Sequence, residues 1–119
     1  MYNQNLGLIG EHKALEFLKN KGYKILSQNF RSRVGEIDII CQDSDTTIFV
    51  EVKTRVSSDY GTPEEAVTPW KIKSIIKTAQ YFMMLHPKLP ESMRIDVISL
   101  ELSPAGEVKR LEHLENITG

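Results

Sequence analysis

Two short apolar segments separated by a turn constrain the fold of this chain most strongly. Glu36–Cys41 and Thr47–Lys53 are rich in Ile, Val and Phe, and Asp43-Ser44-Asp45 between them has the composition of a tight turn. The pattern predicts an antiparallel hairpin. Counting outward from a two-residue turn places Asp38 directly opposite Glu51, and a register slip of one residue would abolish this pairing.

Alternation within each strand gives a second constraint, which does not depend on the register. Glu51 and Lys53 project from the same face of their strand, with valines on the other face. Ile37 and Ile39 flank Asp38 in the same way, so both are expected on the face opposite to it. Two carboxylates and an ammonium group are thus predicted among strongly apolar neighbours.

The remaining segments predict two helices. Asn5 is a suitable N-cap for a first helix over roughly Leu6 to Lys21, and Gly22 follows as its C′ residue. Thr68-Pro69 is a good N-cap and N1 pair for a second helix that extends to about His86. The predicted apolar stripe of this second helix comprises Ile72, Ile75, Ile76, Ala79, Phe82 and Met83.

Three further strands complete the predicted fold. They are Tyr23–Asn29, Met93–Leu102 and Val108–Leu114, and a looser loop covers Ser57–Pro63. The order αβββαββ predicts an α/β domain with a mixed sheet of about five strands flanked by helices. At 119 residues, the chain is expected to form a single domain over 1–119.

The composition excludes several classes of protein. The apolar stretches are too short to span a membrane, and Met1–Gly10 lacks the features of a secretory signal. Cys41 is the only cysteine, which excludes an intramolecular disulfide and fits a reducing cytoplasm; it is expected to be a buried thiol. His12, His86 and His113 have no partners at metal-ligand spacing, so a Cys/His zinc site is not expected.

The net charge of −1 conceals an uneven distribution. Two segments, 12–33 and 66–88, are predominantly basic, whereas the acidic residues concentrate between Glu36 and Glu65 and in the C-terminal third. The candidate contacts to nucleic-acid phosphates are Arg55, Lys71, Lys73 and Arg33. The alternative is that these are ordinary solvated charges.

The negative charge of the predicted Asp38–Glu51 carboxylate pair must be compensated. Two opposed carboxylates repel each other, so either one is protonated or a cation lies between them. Carboxylate ligands suit Mg²⁺ or Mn²⁺, which polarise phosphodiesters and activate water. Lys53 could then orient the attacking water or stabilise charge in the transition state. Glu11, on the core-facing side of the first helix, is a candidate third carboxylate beside Asp38 and Glu51.

Simpler interpretations of the same residues remain open at this point. Glu36 and Lys53 could form a cross-strand ion pair, with Glu51 a satisfied acid on an edge strand. Arg94 and Asp96 are interpreted mainly as a polar pair on a core strand. Tyr60 and Trp70 could stack on a base, although a tryptophan in the first turn of a helix is more often a packing residue.

Five sequence motifs together resemble the YraN family of small bacterial proteins. They are Gly7-x-x-Gly10-Glu11-x-x-Ala14, Gly35-Glu36-Ile37-Asp38-Ile39-Ile40, Phe49-Val50-Glu51-Val52-Lys53-Thr54-Arg55, Tyr60-Gly61-x-Pro63 and Arg94-Ile95-Asp96-Val97. The resemblance covers nearly the whole chain and weakens in about the last ten residues. That family resembles a branch of the restriction-endonuclease-like superfamily, with its PD-(D/E)xK signature, and is similar to archaeal Holliday-junction resolvases.

The resemblance implies a restriction-endonuclease-like fold and catalytic roles for four residues. Asp38, Glu51 and Lys53 match the signature, Glu11 matches the helix-borne acid of the resolvases, and Ile37 departs from the motif proline. The implied function is an endonuclease that depends on Mg²⁺ or Mn²⁺ and acts on DNA, with branched DNA as the expected form, for which a homodimer would supply the two cuts that a junction needs. The alternatives are a nucleic-acid-binding module without turnover and an interaction protein that retains a nuclease fold.

Overall fold

The predicted order of elements is confirmed by the computed structural model, which describes residues 2–56 and 67–119. Two helices and five strands follow one another in the order αβββαββ. They are α1 (Tyr2–Asn20), β1 (Lys24–Arg31), β2 (Glu36–Asp43), β3 (Thr46–Val56), α2 (Pro69–Leu85), β4 (Ser92–Leu102) and β5 (Val108–Leu114). The predicted loop over Ser57–Pro63, with Tyr60 and Gly61, lies outside the described residues.

The five strands form one mixed sheet in the order β1-β2-β3-β4-β5. Neighbouring strands are antiparallel except β3 and β4, which are parallel and are connected through α2. A parallel pair requires a long crossover of this kind. The sheet therefore places β3, with Glu51 and Lys53, at its centre.

The two helices cover opposite faces of the sheet. On one face, α1 packs against the buried cluster that contains Ile39, Val50 and Ile98. On the other face, α2 packs its residues Ile75, Ala79 and Phe82 against a second cluster, which contains Ile37, Ile40, Phe49 and Ile95. All six residues of the predicted stripe of α2 are thus buried or half-buried, as expected for an amphipathic helix.

The predicted start of the first helix is wrong, and its predicted end is nearly right. The helix begins at Tyr2 rather than Leu6, so Asn5 lies inside it and is not its N-cap. No proline or glycine precedes Asn5, and capping preference alone does not stop a helix. At the other end, Gly22 has φ +92° and the N–H of Tyr23 donates to the carbonyl of Leu18 at 3.1 Å, which is the expected C-terminal motif.

The second helix begins as predicted. The Oγ1 of Thr68 accepts a hydrogen bond from the backbone N–H of Lys71 at 3.2 Å, and Pro69 occupies the first turn. The part of the chain that the structure describes contains no helix long and apolar enough to cross a membrane.

Candidate active site

The hairpin register agrees with the sequence prediction up to the edge of the candidate site. Ser44 has φ +55° in the turn, and the pairs run from Asp43–Thr46 outward to Ile39–Val50. The ladder then stops one pair short of the predicted Asp38–Glu51 pair. Instead, the Oδ2 atom of Asp38 accepts a hydrogen bond from the backbone N–H of Val52 at 2.8 Å. The Asp38 carboxylate thus replaces a backbone acceptor where β2 and β3 separate.

The regular alternation of β2 is interrupted at Asp38, contrary to the prediction. Ile39 packs in the cluster beneath α1, whereas Ile37 packs in the cluster beneath α2. On the neighbouring strand, Asn29 has φ +53°, and the β1–β2 pairing passes from Gln28–Ile39 to Phe30–Ile37 without an Asn29–Asp38 pair. Asparagine tolerates this left-handed conformation better than most residues do. The expectation that Ile37 and Ile39 share a face is therefore wrong.

Glu51 is the most buried acid of the candidate site. Its residue exposure is 5%, and its Oε1 atom has no hydrogen-bond partner in the part of the chain that the structure describes. Its Oε2 atom lies 3.8 Å from the Nζ of Lys53 and 3.6 Å from the Nζ of Lys71. Both lysine side chains are more than one-third exposed, so these ammonium groups link a buried carboxylate to the surface.

The electrostatics of the acids reflect burial and mutual repulsion. Burial, followed by the negative charge of Asp38, raises the pKa of Glu51 to about 7 against the opposing effects of Lys71 and Lys53. Burial also raises the pKa of Asp38, as does the charge of Glu36, whereas the N–H of Val52, the charge of Lys71 and a hydrogen bond with the Glu51 carboxyl group lower it. The pKa of Glu11 is raised by burial and then by the charges of Asp38 and Glu36. The charge of Asp38 therefore acts on both Glu51 and Glu11, and Asp38 is the centre of this acidic environment.

Glu11 is brought toward this environment by a close approach of α1 to β3. Gly10 is buried, and a Cβ atom added there would clash with the side chain of Thr54. The absence of a side chain at Gly10 lets the helix backbone lie against the strand, and the next residue, Glu11, is half-buried. Within the described ranges, however, no three His, Cys, Asp or Glu side chains lie close enough together to hold a metal ion.

The simpler interpretations of Glu36 and Glu51 are wrong. Among residues 2–56 and 67–119, Glu36 pairs with Arg31 at 3.7 Å and Lys53 pairs with Glu51, so no cross-strand Glu36–Lys53 pair forms. Glu51 is not a satisfied acid on an edge strand, because β3 is the central strand and one carboxylate oxygen lacks a partner within the described ranges.

The predicted phosphate contacts lie in different places. Lys71 is beside Glu51, and Arg55 is half-buried two residues beyond Lys53 on β3. Lys73 is exposed on α2, and Arg33 is exposed in the turn between β1 and β2. The contact between Lys71 and Glu51 is one that sequence reasoning missed, since the approach of the start of α2 to β3 has no local signal.

Two other expectations can be compared with the structure. Trp70 is 79% exposed, so it does not serve the packing role that its position favoured. Cys41 is fully buried, as expected, and burial raises the pKa of its thiol to about 12.

The polar pair at Arg94 and Asp96 belongs to a larger buried network. Asp96 is fully buried and accepts hydrogen bonds from Arg94 at 3.0 and 3.2 Å and from the N–H of Asn116 at 2.9 Å. The Nε2 of His113, a residue to which the sequence assigned no role, lies 2.8 Å from Asp96. Both oxygens of Asp96 are satisfied, so the network is structural, as the sequence favoured.

The architecture defines the class of this protein. It is an α/β protein with a mixed five-stranded sheet, one helix on each face, and an acidic and lysine-containing site where β2 separates from the central strand β3. The family described as "Uncharacterised protein family UPF0102" matches residues 10–100. The chain belongs to this family, which is the YraN family, so the family inferred from its motifs is confirmed.

Several relatives share this family name over most of their length. A UPF0102 protein of Syntrophomonas wolfei is 47% identical over 98 residues, which cover 82% of this chain and 85% of the relative. A UPF0102 protein of Persephonella marina is 46% identical over 100 residues, which cover 84% of this chain and 86% of the relative. One of Geobacter metallireducens is 44% identical over 116 residues, covering 98% and 93%.

Proposed function

We propose that this protein is a metal-dependent nuclease that hydrolyses phosphodiester bonds in nucleic acid, with Asp38, Glu51 and Lys53 as its catalytic residues and Glu11 as an assisting acid. The observation that carries the proposal is the Oε1 atom of Glu51, which is buried and has no hydrogen-bond partner among residues 2–56 and 67–119. An unsatisfied buried polar group costs about 1–3 kcal/mol. A ligand that satisfies this oxygen would recover that free energy.

The carboxylate oxygens of Asp38 and Glu51 are suitable ligands for a hard divalent cation. Asp38 and Glu51 would hold Mg²⁺ or Mn²⁺, and two carboxylates are enough because Mg²⁺ keeps several waters and also binds phosphate oxygens. When bound, such an ion would acidify a water ligand and neutralise charge on the phosphodiester. Glu11 adds negative charge to the same environment, which would favour a cation.

The lysines supply positive charge at the exposed side of the site. Lys53 and Lys71 both contact Oε2 of Glu51, which leaves Oε1 for another ligand. An ammonium group beside a bound phosphodiester would stabilise the charge that accumulates on its oxygens in the transition state. Lys71 is also in the first turn of α2, where the helix dipole favours anions.

DNA is the proposed substrate because the sequence motifs resemble those of junction resolvases, and branched DNA is the first form to test. A second candidate function is metal-independent binding of nucleic acid without turnover. The observation that favours it is that no three potential ligand side chains cluster closely enough for a metal among the described residues.

Cleavage assays with matched variants test the proposed function. Labelled four-way junction, flap, single-stranded and duplex DNA would be incubated with Mg²⁺, Mn²⁺ or EDTA. We expect metal-dependent cleavage that falls at least about 100-fold in Asp38→Asn, Glu51→Gln and Lys53→Ala, in line with the loss of one electrostatic contributor to catalysis. Lys88→Ala, at an exposed position after α2, is the control and should cleave normally.

Direct metal binding gives an independent readout. Calorimetric titration with Mn²⁺ should detect binding to the wild-type protein and much weaker binding to Glu51→Gln. Binding of DNA that is unaffected by EDTA, with no cleavage of any substrate, would contradict the nuclease and support the second candidate. Cleavage that survives Asp38→Asn and Glu51→Gln unchanged would refute the assignment of the site.

A further inference from the structure

A basic groove lies between the β1–β2 turn and the second half of α2. Its volume is about 450 Å³, and it is lined by Arg31, Ser32, Arg33, Val34, Lys77 and Tyr81. None of the lining residues is acidic. Three cationic side chains around an otherwise apolar groove favour an anionic ligand with an apolar part.

The wall of the groove is fixed by hydrogen bonds to α2. The hydroxyl of Ser74 donates to the carbonyl of Val34 at 2.6 Å, and the hydroxyls of Ser32 and Thr78 are 2.8 Å apart. Gly35 allows this close contact, because a Cβ atom there would clash with the hydroxyl of Ser74. The groove is therefore preformed, which reduces the entropic cost of binding.

The cations of the groove are available to a ligand. Arg31 is paired with Glu36 at 3.7 Å, but the Arg31 side chain is 78% exposed, and exposed pairs of this kind contribute little. Arg33 and Lys77 are exposed and form no ion pair with any carboxylate in the described part of the chain. A phosphate could contact them without displacing a buried partner.

Tyr81 supplies an aromatic surface at the same place. It is 41% exposed, and its ring lies 6.0 Å from that of Phe30 with an interplanar angle of 33°. Phe30 is itself held by an edge contact with Phe82 at 5.0 Å. One side of the tyrosine ring is thus supported while part of it faces solvent. Aromatic rings beside cations are the usual platform for unpaired bases.

We propose that this groove binds an unpaired strand of nucleic acid, with a base stacked on Tyr81 and phosphates contacted by Arg33, Lys77 and Arg31. An unpaired strand is favoured over a duplex because bases inside a duplex are already stacked and cannot reach the ring. The choice of nucleic acid over another polyanion rests on the proposed function; the charge and the aromatic platform are independent of it.

The groove is close enough to the candidate active site for one substrate to occupy both. Lys71 contacts Glu51, and Lys77 and Tyr81 follow it on α2. At 1.5 Å per residue, they lie about 9 and 15 Å further along the helix axis. Since an unpaired strand can extend further per nucleotide than the 3.4 Å rise of a duplex, these axial distances correspond to at most about three to four nucleotides. A single-stranded arm next to a cleaved phosphodiester could therefore reach the groove.

Fluorescence anisotropy with a labelled oligothymidine of about 12 nucleotides tests this proposal. The titrations are made in EDTA, so that binding is measured without cleavage, with a duplex of equal length for comparison. We expect tighter binding of the single strand, a loss of about 5- to 100-fold in Tyr81→Ala, and near wild-type binding in Tyr81→Phe. Arg33→Ala and Lys77→Ala should each lower the slope of log affinity against log salt by about 0.7.

Matched controls separate this result from other outcomes. Lys88 is an exposed lysine outside the groove, so Lys88→Ala should bind the single strand like the wild type. Equal affinity of Tyr81→Ala and Tyr81→Phe, preference for the duplex, or equally strong competition by inorganic polyphosphate would overturn the proposal. Because the assay contains EDTA, a protein that binds here but never cleaves DNA would refute the proposed nuclease and leave the groove assignment standing.

Discussion

Replacing Glu51 with Gln is expected to stabilise the folded protein at neutral and alkaline pH. Glu51 is buried in the central strand, its side chain is 6% exposed, and burial together with Asp38 raises its pKa to about 7 from an ordinary value of 4.5. Glutamine has nearly the same shape and stays neutral. The substitution therefore removes the charge and retains most of the packing.

The direction in which stability changes with pH, and the pH range of the change, follow from the raised pKa of Glu51. Between about pH 4.5 and 7 the folded protein holds a proton on Glu51 that the unfolded chain has lost, so stability falls as the pH rises. The contribution is fully present below pH 4.5 and is lost once the pH passes 7. At about 1.4 kcal/mol for each pKa unit, the loss is on the order of 3 kcal/mol. For a chain of 119 residues this corresponds to a difference of about 10 °C in Tm.

Thermal unfolding at pH 4 and pH 8, in EDTA, measures this effect. The melting temperatures of the wild type and Glu51→Gln should be similar at pH 4, and the variant should melt about 10 °C higher at pH 8. Glu91→Gln, at an exposed position, is the control and should match the wild type at both values. A variant no more stable than the wild type at pH 8 would refute the reasoning. An equal difference in melting temperature at pH 4 and pH 8 would also refute it, because such a difference would reflect packing rather than charge.

Two further predictions concern the scaffold. Gly10→Ala should lower stability by about 1–3 kcal/mol, because its Cβ would clash with Thr54. Gly7→Ala lies in the same helix with open space around it, and it should raise stability by up to about 1 kcal/mol. Equal changes in the free energy of unfolding for the two variants, measured in urea, would contradict the packing argument. Asp96→Asn should destabilise the protein by about 3–5 kcal/mol at pH 7. Burial alone would raise the pKa of Asp96, but bonds from its partners outweigh this and lower it, so the effect should shrink as the pH falls. A stability difference between the wild type and Asp96→Asn that stays constant as the pH is lowered would contradict the role of the ionised Asp96 carboxylate.

The features that could be predicted from sequence are those set by local geometry. The turn around Ser44 fixed the hairpin register, and alternation placed Glu51 and Lys53 on one face, away from the α1 cluster that contains Val50. The start of α2 followed from Thr68 because capping depends on neighbouring residues. In each case the controlling interactions span only a few positions of the chain.

The features that were missed depend on residues far apart in sequence. The separation of β2 and β3 at Asp38 accompanies the left-handed conformation of Asn29 on a third strand, which no pattern within β2 reveals. Lys71 and Glu51 meet because the crossover helix begins beside the central strand. His113 reaches Asp96 across the neighbouring strands β4 and β5. Such contacts are determined by tertiary packing rather than by spacing.

The position of Glu51 is difficult to explain by stability alone. The surrounding sheet has two apolar clusters, and the network around Asp96 shows that this fold can satisfy a buried carboxylate fully. At Glu51 the fold does not do so, since one carboxylate oxygen has no partner among the described residues and the ionised form is disfavoured. Local departures from a stable, fully satisfied arrangement tend to occur at functional sites. The same substitution, Glu51→Gln, should therefore raise stability and abolish cleavage, so that loss of activity cannot be attributed to unfolding. This opposition between stability and activity is what distinguishes the proposed active site from a structural ion pair, whose removal would reduce stability as well.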